Sequence, residues 1–142
     1  MGRLLGLDFG TVRIGAAISD ALGLTAQPLP FFPAQGRKAC LEAIATFCRE
    51  RGVERIVLGL PRHLDGNEGA SSKLVRKFGA DLGARVGLPI EYLDERLTTV
   101  AAERLLIEAD VSRQKRREVI DSMAAAMLLQ NYLDRQTTAD EP

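Results

Sequence analysis

The sequence has few of the residues that build zinc sites or disulfide frameworks. Its 142 residues include one histidine, two cysteines and no tryptophan. A single histidine excludes a histidine-rich zinc site. Cys40 and Cys48 lie on one predicted helix, about 12 Å apart along its axis, which is too far for a disulfide. We therefore expect two buried thiols in a reducing, cytoplasmic compartment.

The sequence also lacks a membrane-spanning run and an excess of charge. The longest uncharged stretch, residues 21–36, contains three prolines, which excludes a transmembrane helix. The N-terminus shows no signal-peptide pattern. Nineteen basic and nineteen acidic residues give a formal net charge of zero, which argues against a simple basic patch for nucleic acid. We expect no membrane partner.

Hydrophobic periodicity predicts an α/β domain with the order βββαβαβαα. The predicted strands cover residues 3–9, 13–19, 24–32, 53–60 and 90–93, and the predicted helices cover 35–51, 70–86, 99–109 and 115–133. Strands one to three form an antiparallel meander, with prolines placing the third strand at an edge. Strands four and five, separated by a helix, are predicted parallel. We expect a mixed five-stranded sheet flanked by helices in one domain, residues 1–134, and a flexible polar tail at 135–142.

Carboxylates occupy unusual positions in this pattern. Asp8 ends the first strand on the face opposite Leu7. The alternative role for Asp8 is simply to cap the turn that follows. Asp94 and Glu95 end the fifth strand, and because neighbouring residues point to opposite faces, only one can normally face a given site. The alternative is an acid at a helix entry that is held in an ion pair. Asp121 lies inside the last helix, among alanines and leucines on a face that can approach the sheet.

A divalent cation would make such carboxylates tolerable. An unpaired charge on an apolar helix face costs several kcal/mol. Mg²⁺ and Mn²⁺ prefer oxygen ligands, which carboxylates supply. Two such ions roughly 4 Å apart can activate a water and stabilise the crowded phosphorus centre of phosphodiester hydrolysis. No pairing of serine or cysteine with histidine suggests itself, so these acids favour metal-dependent hydrolysis.

Several other residues are candidates for holding a phosphate backbone. Gly10 and Thr11 let the chain turn close to a phosphate after the first strand, and Arg13 can reach a phosphate oxygen. Thr98 and Thr99 stand at a predicted helix start, where they either cap the helix or bind a phosphate. Two basic clusters either form a solvated helix face or contact a nucleic-acid backbone. The candidates in these clusters are Lys73, Arg76, Lys115 and Arg116.

Four stretches of the chain together resemble the motifs of the YqgF (RuvX) family. They read LGLDFGTVRIGAAISD, GLPRHLDGNEG, LDERLTTVAAERLL and IDSMAAAMLLQNYLD, and the resemblance runs from residue 3 to residue 134. It implies an RNase H-like fold similar to RuvC-type resolvases. It also implies Asp8, Glu95 and Asp121 as metal ligands, with Asp94 as the alternative to Glu95. Arg62 and His63 depart from the family pattern, since neutral residues are common there.

The same resemblance implies a nuclease that needs Mg²⁺ or Mn²⁺. The implied activity is 5′-end maturation of precursor 16S ribosomal RNA, and the alternative is cleavage of Holliday junctions or of single-stranded DNA or RNA. The implied partner is nucleic acid, RNA ahead of DNA, and the protein is expected to be a monomer or a homodimer.

Two other function classes remain open on the sequence. The Asp-Phe-Gly-Thr turn at residues 8–11 is similar to the first phosphate motif of actin, Hsp70 and sugar kinases. Those ATPases bind nucleotide between two related domains, whereas this chain has the length of one. The other class is a non-catalytic RNA- or transcription-associated module, which would gain nothing from clustered carboxylates that repel phosphate.

Overall fold

The computed structural model describes residues 2–60, 69–94 and 113–140, apart from the side chains at 70, 71, 94, 113–121 and 137–140. The strands are β1 (Arg3–Asp8), β2 (Arg13–Ser19), β3 (Ala26–Pro33), β4 (Val53–Leu60) and β5 (Ile90–Asp94). The helices in these ranges are α1 (Arg37–Arg51), α2 (Ala70–Val86) and α3 (Arg113–Asp140). The helix predicted at 99–109 lies outside the described residues.

The strands form one mixed sheet with the order β3-β2-β1-β4-β5. β1, β2 and β3 are successively antiparallel, whereas β4 is parallel to β1 and β5 is parallel to β4. This confirms the predicted meander followed by parallel strands, with the proline-containing β3 at an edge. Because β1, β4 and β5 run in the same direction, their last residues meet at one edge of the sheet, which we call the carboxyl edge.

The larger part of the core lies between the sheet and helices α1 and α2. Leu5 and Leu7 of β1 are fully buried there against Phe78 of α2. Both cysteines of α1 are buried and free, as the sequence predicted. Burial raises the pKa of the Cys48 thiol to about 11.

Helix α3 covers the opposite face of the sheet. Its apolar side packs on the central strands through a second buried cluster, which includes Ala17, Val57, Ala125, Leu128, Leu129 and Tyr132. Gly6 of β1 allows this close approach, because a Cβ there would lie 2.9 Å from the Cβ of Leu129. The sheet is therefore sandwiched between α1 and α2 on one face and α3 on the other.

The end of α3 corrects one prediction. The sequence predicted a helix ending at residue 133 and a flexible tail from 135, whereas α3 continues to Asp140. Residues 134–140 contain no proline or glycine to stop the helix. Gln130 Nε2 also donates a hydrogen bond to Asp134 Oδ1, 3.0 Å away and one turn further on. The polar tail is thus helical through residue 140.

The start of β3 also differs from the prediction. Asp20 Oδ1 accepts hydrogen bonds from the backbone N–H groups of Leu24 at 2.7 Å and Thr25 at 3.0 Å. These bonds hold residues 20–25 as a turn, in which Gly23 has a φ of 72°. The strand therefore begins at Ala26 rather than at residue 24. Within the described ranges, no helix has the length and apolar content that crossing a membrane requires.

Candidate active site at the carboxyl edge

Asp8 is the last residue of β1, the central strand, and so lies at the carboxyl edge. Leu5 and Leu7 are buried toward α1 and α2, whereas Gly6 faces α3. Strand alternation places Asp8 on the same side as Gly6. The residue is partly buried and interacts with other groups of the protein. The expectation that Asp8 ends the first strand is confirmed.

The turn after β1 depends on glycine at position 10. A Cβ at Gly10 would overlap the backbone carbonyl oxygen of Arg13, so a side chain here would force the turn open. Thr11 and Val12 are exposed in this turn. The carbonyl oxygen of Val12 accepts a hydrogen bond from the backbone N–H of Ala34 at 2.9 Å, which ties the turn to the end of β3. The turn is therefore held in a defined position beside the carboxyl edge.

The end of β5 brings a second acidic position to this edge. Asp94 pairs with Leu60, the last residue of β4. Only β4 separates β5 from β1, so their backbones are about 10 Å apart. Leu93, one residue earlier, packs in the cluster beneath α3. Glu95 and the side chain of Asp94 lie outside the described residues.

Helix α3 crosses the sheet antiparallel to β1, as two contacts made by residues almost three turns apart demonstrate. The Tyr132 hydroxyl accepts a hydrogen bond from Arg55 Nη1 at 2.9 Å. Ser122 Oγ donates a hydrogen bond to the carbonyl oxygen of Leu29 at 2.6 Å. Arg55 is level with the start of β1 and Leu29 with its end, by the strand register. The N-terminal half of α3 therefore lies toward the carboxyl edge.

This register gives the level of position 121. Gly6 faces the backbone of Ala125, since a Cβ there would lie 3.2 Å from the Ala125 carbonyl oxygen. Asp121 comes one turn before Ala125, about 6 Å along the helix axis. Asp8 comes two residues after Gly6, about 7 Å along the strand in the same direction. Positions 8 and 121 are thus at one level on the α3 side, although the side chain of Asp121 is not among those described.

Arg13 lies at the start of β2 on the same side of the sheet. Its guanidinium carbon is 5.6 Å from the centroid of the Phe31 ring. Ile14 is buried toward α1, so alternation places Arg13 on the α3 side with Asp8. Arg13 therefore stands near the carboxyl edge, where the sequence predicted a phosphate contact. The sequence did not single out Phe31.

Lys73 and Arg76 lie near the carboxyl edge, on the sheet face opposite α3. Both are exposed in the first two turns of α2, which packs on the sheet face opposite α3. The guanidinium carbon of Arg76 is 5.1 Å from the centroid of the Tyr92 ring, and Tyr92 is level with Leu58 in the register. These two cations are therefore separated from Asp8 by the thickness of the sheet.

The remaining predicted contacts belong to parts of the chain without described side chains. Lys115 and Arg116 lie in the first turns of α3, ahead of position 121. Thr98 and Thr99 lie outside the described residues. Among the side chains that are described, no group of three histidine, cysteine, aspartate or glutamate residues is close enough to hold a metal ion. The described backbone nevertheless brings Asp8, the end of β5 and position 121 of α3 to one edge of the sheet.

A polar group at the opposite edge was missed by the sequence reasoning. Arg55 reaches both the Tyr132 hydroxyl and Glu91 Oε1, the latter at 3.2 Å. Burial, followed by the neighbouring Glu91, raises the pKa of the Tyr132 phenol. Strand β4 reads as a largely apolar run, so nothing in its pattern identifies Arg55 as a partner of α3. The group joins β4, β5 and α3 far from the acids.

A family model and several named relatives match almost the whole chain. A family model described as "RuvX: Holliday junction resolvase" matches residues 2–135. A protein of Moorella thermoacetica named "Putative pre-16S rRNA nuclease" is 52% identical over 133 residues, covering 94% of this chain and 95% of its own length. One of the same name from Myxococcus xanthus is 50% identical over 138 residues, covering 97% of this chain and 91% of its own length.

Solved structures share the fold at low sequence identity. RuvC of Thermus thermophilus in complex with a Holliday junction substrate has a TM-score of 0.57 at 14% identity, with 100% of this chain and 99% of that chain covered. The Fowlpox virus resolvase with Holliday junction DNA has a TM-score of 0.55 at 12% identity, with 94% and 98% covered. The architecture is therefore that of RuvC-like resolvases, as the predicted RNase H-like fold requires.

Proposed function

Since the chain belongs to the RuvX family, we propose that it is a nuclease that hydrolyses phosphodiester bonds in the 5′-end maturation of precursor 16S ribosomal RNA. The observation that supports the proposal is that Asp8, the end of β5 and the backbone of position 121 in α3 lie at the carboxyl edge. The relatives from Moorella thermoacetica and Myxococcus xanthus are named for this activity, and they match almost the whole chain. Precursor ribosomal RNA is cytoplasmic in bacteria, so this substrate implies a cytoplasmic protein.

The acids fit a divalent metal by their chemistry. Asp8, Glu95 and Asp121 would supply only carboxylate oxygens, the ligands that Mg²⁺ and Mn²⁺ prefer. Asp94 remains the alternative to Glu95. When bound, such ions would polarise a water and neutralise charge on the phosphate. Without them, three converging carboxylates would repel one another and the nucleic acid alike.

The chain itself positions the substrate in this proposal. Gly10 keeps the turn after β1 tight, so that the backbone of Thr11 can approach a phosphate without obstruction. The guanidinium of Arg13 can donate two hydrogen bonds to phosphate oxygens on the same side as Asp8. Lys73 and Arg76 would attract the flanking backbone from the α2 side without reading its sequence.

The test is a cleavage assay with four substrates side by side. They are RNA with the 5′ extension of 16S ribosomal RNA, unrelated single-stranded RNA, single-stranded DNA and a four-way DNA junction. We expect cleavage with Mg²⁺ or Mn²⁺, its loss with EDTA, and a preference for the ribosomal precursor. Asp8→Asn and Asp121→Asn should each reduce the rate by about 100-fold or more. Cleavage that survives both changes would overturn the assignment of these acids.

A matched control separates the site from general effects of charge. Asp81→Asn removes an exposed carboxylate of α2 that forms an ion pair with Arg37 of α1, at 3.1 Å. The rate should change less than about twofold, because an exposed ion pair contributes little. Comparison of Glu95→Gln with Asp94→Asn identifies the second ligand, and we expect the larger loss at Glu95.

Junction cleavage is the second candidate function, supported by the description of the matching family model. A four-way junction needs two cuts, so this activity would require two active sites, as in a homodimer. Symmetric paired cuts in the junction, together with a dimer in sedimentation, would favour it over ribosomal RNA maturation. A protein that binds these substrates but cuts none would instead be the non-catalytic module.

A further inference from the structure

The edge strand β3 carries one residue more than its partner β2 near the carboxyl edge. The register pairs on either side are Ile14 with Phe32 and Ala16 with Leu29. Two steps on β2 thus correspond to three on β3, which leaves Pro30 and Phe31 together opposite Gly15. This is a β-bulge, a feature that redirects side chains and is common beside active sites. Gly15 in turn pairs with Asp8 on β1, so the bulge is level with the acid.

The bulge places Phe31 on the side of the sheet that carries Asp8. Phe32 packs toward α1, with its ring centroid 5.8 Å from that of Phe47. Phe31 lies on the other side, where the Arg13 guanidinium carbon is 5.6 Å from its ring centroid. Two strand spacings, about 10 Å, separate the backbones of Asp8 and Phe31.

Among the described residues, the ring of Phe31 is only partly buried and belongs to neither core cluster. Val12, in the turn just before Arg13, is 57% exposed. An aromatic ring and a guanidinium therefore lie together near the carboxyl edge, with an exposed aliphatic residue in the adjoining turn. A surface that contacted only phosphate would not need the apolar side chains of Phe31 and Val12.

Aromatic rings combined with arginine are the usual surfaces on which unpaired bases stack. Both a ring and a guanidinium plane can support a base, and the interaction tolerates any base because each has a π-face. A base within a continuous duplex has its faces covered by its neighbours and cannot stack on a side chain without being extruded. A platform of this kind therefore distinguishes unpaired from paired nucleic acid.

We propose that Phe31 and Arg13 form a stacking platform for one unpaired base, close to the phosphate to be cut at the carboxyl edge. The platform selects nucleic acid with a single-stranded segment next to the cut over continuous duplex. The proposal rests on the proposed function in one respect, namely that the phosphate to be cut lies at the carboxyl edge. It adds the substrate class, namely a nucleic acid in which a duplex adjoins a single-stranded segment.

The test combines a protein variant with a change in the substrate. Binding is measured by fluorescence anisotropy with Mg²⁺, in an Asp8→Asn background so that strands stay intact. The probes are a duplex with a single-stranded 5′ extension, a blunt duplex, and a series in which one abasic position moves through the extension. Phe31→Ala should weaken binding of the extended probe by about 5- to 150-fold. Binding of the blunt duplex should change less than about twofold, and Phe31→Tyr should retain the affinity.

The abasic series identifies the stacked base. At one position the missing base should weaken binding by the protein with Phe31, and should cause no additional loss in Phe31→Ala. Such non-additivity is the signature of a direct contact. Leu24→Ala is the matched control, since this side chain is 58% exposed in the turn at the opposite end of β3. That control should bind every probe as the parent does.

The outcomes separate the platform from the nuclease assignment. Equal weakening on extended and blunt probes, additive effects at every abasic position, unchanged affinity or no binding to any probe would each overturn the platform. None of these results depends on cleavage. Conversely, a wild-type protein that shows the selective binding but cuts no substrate would refute the nuclease and leave the platform standing.

Discussion

Gly6 of β1 lies directly beneath Leu129 of α3, and this contact sets how close the helix comes to the sheet. A Cβ on Gly6 would lie 2.9 Å from the Leu129 Cβ and 3.2 Å from the Ala125 carbonyl oxygen. The second of these atoms belongs to backbone, which cannot yield by rotating a side chain. Because Ala125 lies one turn after Asp121, the same contact also sets how close the backbone at position 121 comes to the sheet at the carboxyl edge.

Gly6→Ala is therefore expected to impair both stability and activity. The added methyl should push α3 away and cost about 1–3 kcal/mol in the free energy of unfolding, measured by urea denaturation. Moving position 121 away from Asp8 should reduce cleavage more than tenfold even where the protein is fully folded. Wild-type stability in Gly6→Ala would contradict the close approach of α3.

Gly83→Ala provides the matched control for this substitution. A Cβ at Gly83, inside α2, would lie 3.3 Å from the Cγ1 atom of Ile90, which belongs to a side chain and can shift by a few tenths of an ångström. Alanine also favours a helix over glycine by about 1 kcal/mol. We expect stability equal to or above that of the wild type, with unchanged cleavage.

The contact of Arg55 with Tyr132 is expected to contribute to stability without taking part in chemistry. Tyr132→Phe removes the acceptor of the 2.9 Å hydrogen bond and should cost about 0.5–1.5 kcal/mol. A double-mutant cycle with Arg55→Met should give a coupling energy of similar size, whereas additive losses would show that the contact is not made in solution. Cleavage should change less than about threefold, because Ser122 and Gly6 hold α3 nearer the acids.

The turn at Asp20 predicts an acid-sensitive part of the stability. Hydrogen bonds from the backbone of Thr25, and then of Leu24, lower the pKa of this carboxyl below its usual value. A lowered folded-state pKa stabilises the protein above the unfolded pKa of 3.8 and ceases to do so as the pH falls through the folded value. Asp20→Ala should therefore be less stable than wild type at pH 7, with a difference that shrinks below about pH 4.

Unfolding of both proteins between pH 7 and pH 2.5 measures this effect. Asp20→Asn retains a side-chain oxygen acceptor but does not titrate, so its difference from Asp20→Ala should not follow the same pH dependence. A wild-type advantage over Asp20→Ala that stays constant across the range would contradict the account of the turn.

The thiol of Cys48 should be protected in the folded protein. Burial raises its pKa to about 11, so at pH 8 only about one thiol in a thousand is in the reactive thiolate form. Labelling by a disulfide reagent such as dithionitrobenzoate should be slow in buffer and rapid in denaturant. Cys48→Ala then identifies which of the two thiols reacts first. Rapid labelling of Cys48 without unfolding would contradict its burial.

The sequence predicted the sheet well because each strand has a strong local signal. The Gly10–Thr11 turn predicted the hairpin, and Pro28 with Pro30 placed β3 at the edge. The helix between the fourth and fifth strands indicated that β4 and β5 are parallel. In each case a local preference and the final packing agree.

The parts that escaped prediction depend on contacts between distant residues. No local pattern indicates that Phe31 sits in a bulge level with Asp8, since a bulge is defined only by the register of two strands. The Arg55–Tyr132 hydrogen bond joins residues far apart in the chain. The extension of α3 past residue 133 shows the opposite case, where a polar composition suggested a tail although nothing in it breaks a helix.

The central claim, that the acidic positions of β1, β5 and α3 share a metal site, is tested most directly by diffraction from crystals soaked in Mn²⁺. An anomalous peak should lie at the carboxyl edge, within about 2.5 Å of a carboxylate oxygen of Asp8 and of Asp121. The same peak should be absent from Asp8→Asn crystals. Carboxylates at positions 8 and 121 that face separate surfaces, or Mn²⁺ bound only elsewhere on the protein, would contradict the account.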